Sequence, residues 1–125
     1  MTSGKFLFLI PPTGNYRRDE RCQSDVEAQT AVVVLPPVDL ALYAAIVRQA
    51  GYEAAILDCA AEQLNVLDAI HFITSSAPDI LFLPITWPTE KDDFTFVGEL
   101  REQWQGQVWI KGGRAFHDPQ QLMND

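Results

Sequence analysis

The sequence predicts a single α/β domain in which helices wrap a parallel β-sheet. Short apolar runs alternate with amphipathic stretches along the chain, and this alternation is typical of consecutive βα units. The chain has 125 residues, of which 47% are hydrophobic, and this is enough for one buried core. We therefore expect residues 1–125 to form one globular domain.

The apolar runs predict the strands. The first covers 5–10, where a continuous apolar stretch indicates a strand buried on both faces, and Pro11 and Pro12 end it. Shorter runs predict strands over 54–57, 80–85 and 108–110. Residues 13–35 form a long, mostly polar loop, and loops of this length in compact domains are usually functional or disordered. Its apolar end, 31–35, is either a short extra strand or an apolar anchor.

Helical spacing of apolar residues predicts helices over 38–50, 62–75 and 93–105, and a last helix that begins at Asp118 or Pro119. Pro36 and Pro37 precede the first helix, and Gly51 stands where a left-handed C-terminal cap is needed. The residues expected to face the sheet are Leu40, Tyr43, Ala44 and Val47 in the first helix, Leu64, Leu67, Ile70, His71 and Ile73 in the second, and Phe96, Val97, Leu100 and Trp104 in the third.

Together these elements predict a Rossmann-like or flavodoxin-like, doubly wound parallel sheet. Right-handed crossovers place the helices on both faces of such a sheet. About four strands are visible, whereas a doubly wound sheet normally carries about five. The final strand is therefore missing from the pattern, and an unfinished sheet edge favours self-association.

Composition excludes several classes of function. The formal net charge of −8 disfavours a nucleic-acid partner, because a phosphate backbone would be repelled. No apolar run approaches the roughly 20 residues of a membrane span, and the run after Lys5 is too short for a signal peptide. The two cysteines, Cys22 and Cys59, have no metal-site or disulfide spacing, so a cytoplasmic protein is expected. The charged residues of the third helix, Asp92, Asp93, Glu99, Arg101 and Glu102, are expected to lie on solvated helix faces.

The chemistry is expected at the carboxyl ends of the strands, where ligands of doubly wound sheets bind. Glycine at such an end lets the backbone approach a ligand closely, and an indole can cover a flat ligand while a hydroxyl binds its amides. Each of these residues is also consistent with an ordinary turn or a core cap. The candidates are Pro12, Thr13 and Gly14 after the first strand, Asp58 after the second, Thr86 and Trp87 after the third, and Gly112 and Gly113 after the fourth.

Seven segments, in order along nearly the whole chain, carry a resemblance to a known family. They are IPPTGNY (10–16), RDERCQ (18–23), PPVDL (36–40), AGYEA (50–54), ILD (56–58), APDI (77–80) and KGG (111–113). In this ordered set the chain resembles the N-terminal cobalamin (B12)-binding domain of cobalamin-dependent radical SAM enzymes.

The resemblance implies a module that holds a corrinoid across the carboxyl edge of its sheet. In that family a separate barrel binds S-adenosylmethionine and a 4Fe-4S cluster, and the chemistry is methyl transfer or radical rearrangement. The cluster needs three cysteines, whereas this chain has Cys22 and Cys59 only, so the barrel is absent here and would act in cis or in trans. The chain is therefore not expected to be catalytically complete, and no catalytic or metal-ligating residue is assigned to it. The resemblance also adds Tyr16 to the cofactor-binding residues, with Arg18 and Arg21 either near the cofactor or solvated.

One departure concerns cobalt. Many corrinoid proteins resemble one another in a D-x-H-x-x-G motif after the first strand, whose histidine binds cobalt from below. The corresponding loop here has no histidine, since the chain's two histidines are His71 and His117. Cobalamin is therefore expected without a histidine lower ligand from the first loop, as is common in the radical SAM relatives.

Two other functions remain open from the sequence. The first is a non-catalytic adaptor that kept this fold and lost the cofactor. The second, ranked last, is a phosphate- or flavin-binding protein, since the loop at 13–15 is only thinly similar to a phosphate loop. A receiver domain is excluded, because prolines and Thr86 stand where it needs aspartates.

Overall fold

The computed structural model describes residues 4–13 and 36–124. Within them, strands and helices alternate along the chain. The elements are β1 (Lys5–Ile10), α1 (Val38–Gln49), β2 (Glu53–Asp58), α2 (Val66–Ser76), β3 (Ile80–Pro84), α3 (Glu90–Leu100), β4 (Gln107–Lys111), α4 (Arg114–His117) and α5 (Pro119–Asn124). Apart from Thr13, the predicted loop at 13–35, including the apolar stretch at 31–35, lies outside the described residues.

The four strands form one parallel sheet in the order β2-β1-β3-β4. Ile10 pairs with Asp58, Phe8 pairs with Phe82, and Pro84 pairs with Lys111. The predicted α/β class is confirmed, and the arrangement is consistent with a Rossmann-like or flavodoxin-like fold. The strand order changes direction at β1, since β2 lies on one side of β1 and β3 and β4 lie on the other. Ligands of doubly wound sheets bind at this switch point, between β1 and β3. The described residues contain no fifth strand.

Alternating side chains of the strands build two cores, one on each face of the sheet. On the first face, Leu7 and Leu9 of β1 pack with α2 and α3, and Phe96 and Leu100 of α3 are almost completely buried. On the second face, within the described part of the chain, Phe6 and Phe8 of β1 pack under α1, against Leu40 and Ala44. Burial of each large apolar side chain contributes about 1.5–3 kcal/mol to folding. Because α2 and α3 pack on the first face and α1 packs on the second, the described helices are distributed unequally over the two faces.

The predicted inward faces of α1 and α3 are confirmed, and that of α2 is wrong at two positions. Leu67 is 75% exposed and His71 is also exposed, whereas Ala69, Ile70 and Ile73 are buried. Apolar residues occur on several sides of α2, so spacing alone did not determine which side meets the sheet. In α3, Phe96, Val97 and Leu100 belong to the core or pack against it.

Local features determine three of the helix ends, and one of these ends differs from the prediction. The second helix begins at Val66 rather than at 62, because the side chain of Asn65 accepts a hydrogen bond from the N–H of Asp68 at 2.8 Å. Gly51 has φ of 98°, so the predicted left-handed cap after α1 is confirmed. The last helix begins at Pro119, one of the two predicted starts, and the side chain of Asp118 before it accepts a hydrogen bond from the N–H of Gln121 at 3.2 Å.

Gly106 gives a prediction about stability. A Cβ at this position would overlap the ring of Trp104, which is 7% exposed and donates its indole N–H to the carbonyl of Pro78 at 2.9 Å. We expect Gly106→Ala to lower the free energy of unfolding by about 1–3 kcal/mol, because the indole of Trp104, which is held by its hydrogen bond to Pro78, must move. Gly98→Ala is the matched control, since a Cβ there meets nothing within 4 Å inside α3 and should stabilise the helix by about 0.5–1 kcal/mol. Urea unfolding measures both, and equal effects would contradict the proposed clash.

Candidate functional site

The carboxyl ends of the strands form one continuous edge. Two backbone hydrogen bonds join the segments that leave neighbouring strands. The N–H of Cys59 donates to the carbonyl of Ile10 at 3.1 Å, and the N–H of Ile85 donates to the carbonyl of Lys111 at 2.8 Å. The edge is therefore built on the rigid sheet and not on independent loops.

A buried polar network joins the segments after β1 and β3. The hydroxyl of Thr13 donates to Asp93 Oδ1 at 2.9 Å, and the N–H of Asp93 donates to the carbonyl of Thr89 at 2.9 Å. The hydroxyls of Thr86 and Thr89 are 2.9 Å apart. Asp93 is 0% exposed, Thr89 is 1% exposed and Thr86 is 5% exposed. This network fixes the first residues after β1 against the first turns of α3.

The expected exposure of Asp93 is wrong, while Asp92 is exposed as expected. Asp93 lies on the sheet-facing side of α3 because Phe96 and Leu100, three and seven residues later, are buried on that side. Thr89, four residues earlier, belongs to the same side. In the sequence, Thr89 and Asp93 have helical spacing with Phe96, which indicates polar side chains that face the core. Neither Thr89 nor Asp93 was among the predicted site residues.

Thr86 and Trp87 were both predicted at this edge, but they face different surroundings. The hydroxyl of Thr86 forms a hydrogen bond with the hydroxyl of Thr89 inside the network, so it stabilises the segment after β3. The indole of Trp87 is 49% exposed and lies beside the imidazole of His117, with the ring centroids 5.8 Å apart and the planes tilted by 31°. An exposed aromatic surface thus joins the segment after β3 to the end of α4.

Asp58 supports a turn. Its Oδ1 accepts a hydrogen bond from the N–H of Ala61 at 3.1 Å. Asp58 also pairs with Ile10 in the sheet register, so it lies on the same edge as the segment after β1. This hydrogen bond supports the turn interpretation, one of the two that the sequence left open.

Gly112 and Gly113 both have left-handed backbone, with φ of 90° and 53°. A Cβ on Gly113 would approach the side chain of Ile85 to 3.3 Å. Left-handed backbone costs residues with a Cβ about 1–2 kcal/mol, so the glycine pair meets a requirement of the chain path. At the end of β4, Gly112 is buried and Gly113 is half-buried.

A groove of about 420 Å³ opens next to this glycine pair, on the α1 side of the sheet, within the usual range for small-molecule sites. Its walls are mainly aromatic and aliphatic. Lys111 supplies one ammonium, which lies 5.8 Å from the ring centroid of Tyr43 and 3.9 Å from Asp39 Oδ2. The lining residues are Tyr43, Phe82, Ile110, Lys111, Gly112 and Ala115.

The structure brings part of the predicted site together. Of the predicted residues, Gly112 lines the groove, and Gly113 and Trp87 lie on the same edge. Pro12 and Thr13 begin the segment after β1, and Thr13 is engaged with Asp93. Gly14, Tyr16, Arg18, Arg21 and Cys22 lie outside the described residues. The groove walls from α1 and β4, Tyr43 and Lys111, were missed, because the sequence does not show how α1 lies on the sheet.

Among residues 4–13 and 36–124, no three His, Cys, Asp or Glu side chains are grouped so that they could hold a metal ion. In the same ranges no helix has both the length and the apolar character needed to cross a membrane. Comparisons of the chain with protein-family models, curated proteins and solved structures found no match in any of the three. Functional inference therefore rests on the residues and their arrangement.

Proposed function

We propose that the domain is a cobalamin-binding module that holds a corrinoid at the carboxyl edge of its sheet. The observation that carries the proposal is the groove beside Gly112, because it lies at the ligand-binding edge of a doubly wound sheet. The ordered resemblance to cobalamin-binding domains of radical SAM enzymes points to the same edge.

The residues of the edge fit the chemistry of a corrinoid. Cobalamin has a flat macrocycle with amide side chains and a tail that carries a phosphate and an aromatic base. Tyr43 and Phe82 offer apolar rings for the base, and the ammonium of Lys111 offers a charge partner for the phosphate. The exposed indole of Trp87 would contact the macrocycle beside the groove.

The position of the histidines agrees with cobalt that has no histidine lower ligand from the first loop. His71 is exposed on α2, which packs on the other face of the sheet, His117 lies in α4 beside Trp87, and residues 11–35 contain no histidine. When bound, the corrinoid would supply methyl transfer or radical chemistry together with S-adenosylmethionine and a 4Fe-4S cluster on a separate barrel. The role of this chain is then to bind and orient the corrinoid. A cytoplasmic location is part of the proposal, since Cys22 and Cys59 do not have the spacing of a disulfide framework.

The test is the visible spectrum of the purified protein after incubation with hydroxocobalamin and desalting. We expect a retained corrinoid band that is shifted from that of the free cofactor. Gly113→Trp should weaken it, because the new side chain is forced against Ile85 in left-handed backbone. Incubation with flavin mononucleotide is the parallel control for a flavin site. A folded protein that retains no corrinoid would overturn the proposal for this chain.

A second candidate is an adaptor with this fold and no cofactor. The observation that favours it is the exposed apolar surface on the α1 face, where Trp109 is 46% exposed and Leu42 is 57% exposed. A folded, colourless protein that still forms a specific complex would support the adaptor.

A further inference from the structure

The segment after β3 is a tight turn that carries Trp87. The N–H of Thr89 donates to the carbonyl of Thr86 at 3.2 Å, which closes a four-residue β-turn with Trp87 and Pro88 at its central positions. Proline has a fixed φ and also restricts the backbone of the residue before it, which here is Trp87. The β3–α3 turn (residues 86–89) therefore has few backbone conformations open to it.

Two buried hydroxyls stabilise the β3–α3 turn from the inside. The hydroxyl oxygen of Thr89 accepts a hydrogen bond from the N–H of Thr86 at 3.2 Å, and the two hydroxyl oxygens are 2.9 Å apart. Thr89 is 1% exposed and Thr86 is 5% exposed, whereas Trp87 in the same turn is 49% exposed. The turn thus combines a buried, hydrogen-bonded base with an accessible aromatic side chain.

The β3–α3 turn is also fixed to neighbouring parts of the fold. The carbonyl of Thr89 accepts a hydrogen bond from the N–H of Asp93 in α3 at 2.9 Å. Asp93 in turn accepts the hydroxyl proton of Thr13, which follows β1, at 2.9 Å. Ile85, the residue before the turn, donates its N–H to the last residue of β4 at 2.8 Å. These contacts hold the turn at the carboxyl edge, beside the switch point where ligands of such sheets bind.

Buried polar side chains are concentrated at this turn. Within residues 4–13 and 36–124, the buried polar or charged side chains are Thr86, Thr89 and Asp93, and all three belong to the network around the turn. A buried hydrogen bond adds little net stability over an apolar side chain of the same shape, but it has a preferred direction, and a satisfied network is rigid. The arrangement therefore favours a fixed position of the turn over packing alone.

We propose that Thr89 and Asp93 are positioning residues, which fix the β3–α3 turn so that the indole of Trp87 is in place before a ligand binds. This inference rests on the proposed function, in which Trp87 contacts the corrin macrocycle. A contact group that is already ordered in the free protein loses little entropy on binding, so the affinity is higher. Thr13 then acts through Asp93, because its hydroxyl proton is donated there.

The test combines the dynamics of the free protein with its affinity for hydroxocobalamin. We expect the backbone N–H of Trp87 to have a nitrogen-15 order parameter of about 0.85 in the wild type and below about 0.6 in Thr89→Val, which lacks the hydroxyl. Thr89→Val should also bind hydroxocobalamin at least about tenfold more weakly. Thr89→Ser keeps the hydroxyl and should restore both values. Thr95→Val is the matched control, since its exposed hydroxyl donates to the carbonyl of Lys91 elsewhere on α3.

A double variant shows whether Thr89 acts through Trp87. In a Trp87→Ala background, Thr89→Val should cause no further loss of affinity, whereas a general loss of structure would add to the effect of Trp87→Ala. Circular dichroism confirms that each variant is folded. An additive double variant, or an order parameter that Thr89→Val leaves unchanged, would overturn the inference. A wild-type protein that retains no corrinoid would overturn the proposed function instead, and the order parameters would still decide whether Thr89 fixes the turn.

Discussion

Asp93→Ala should lower the free energy of unfolding by about 1–3 kcal/mol. The side chain of Asp93 is 0% exposed and accepts the hydroxyl proton of Thr13 at 2.9 Å. Its removal leaves a cavity and a partly buried hydroxyl without its acceptor, and an unsatisfied buried group carries a cost of this size. The carboxylate also lies in the first turn of α3, where a negative charge is favourable. Urea unfolding followed by circular dichroism gives the change.

Asp92→Ala is the matched control for this prediction. Asp92 is the preceding residue on the same helix turn, but it is exposed. Its replacement should change the free energy of unfolding by less than about 0.5 kcal/mol. Similar effects of the two variants would show that the buried bond to Thr13 contributes nothing beyond the helix-terminal charge. Thr13→Val removes the other partner, and its effect together with Asp93→Ala should be clearly less than additive, because the two residues share one hydrogen bond.

The sheet could be predicted from the sequence because its signals are local. The continuous apolar run from Phe6 to Ile10 and the prolines after it define β1, and Gly51 defines the end of α1. The boundaries of α2 and the side of it that is buried were less predictable. They depend on the cap at Asn65 and on packing against β1 and β3, and a side chain such as His71 fits the helical spacing on either side.

The candidate site was predictable only as far as the strands determine it. The carboxyl ends of parallel strands must share one edge, so Trp87 and Gly112 were placed there correctly. The groove also needs α1, whose Tyr43 reaches it through contact with Phe82, at a centroid distance of 5.5 Å. This contact joins residues far apart in sequence, and it follows from helix–sheet packing and not from any motif.

The groove lies at the end of β4, where α4 contributes Ala115. Among the described residues, α1 packs on this face of the four-stranded sheet, whereas α2 and α3 pack on the other face. A substitution in the groove should therefore change corrinoid binding without changing the packing of α2 and α3.

Ala115→Trp should lower the affinity for hydroxocobalamin by at least about tenfold, which corresponds to about 1.4 kcal/mol. Ala115 is half-buried in the wall of the groove, and an indole at this position would occupy the space assigned to the corrinoid tail. Ala41→Trp adds the same side chain at an exposed position of α1 that does not line the groove, and it should bind like the wild type. Titration followed by the visible spectrum measures the affinity of both variants. Equal binding by Ala115→Trp and Ala41→Trp would move the corrinoid out of the groove and onto the surface around Trp87, because only the groove is closed by the indole at 115.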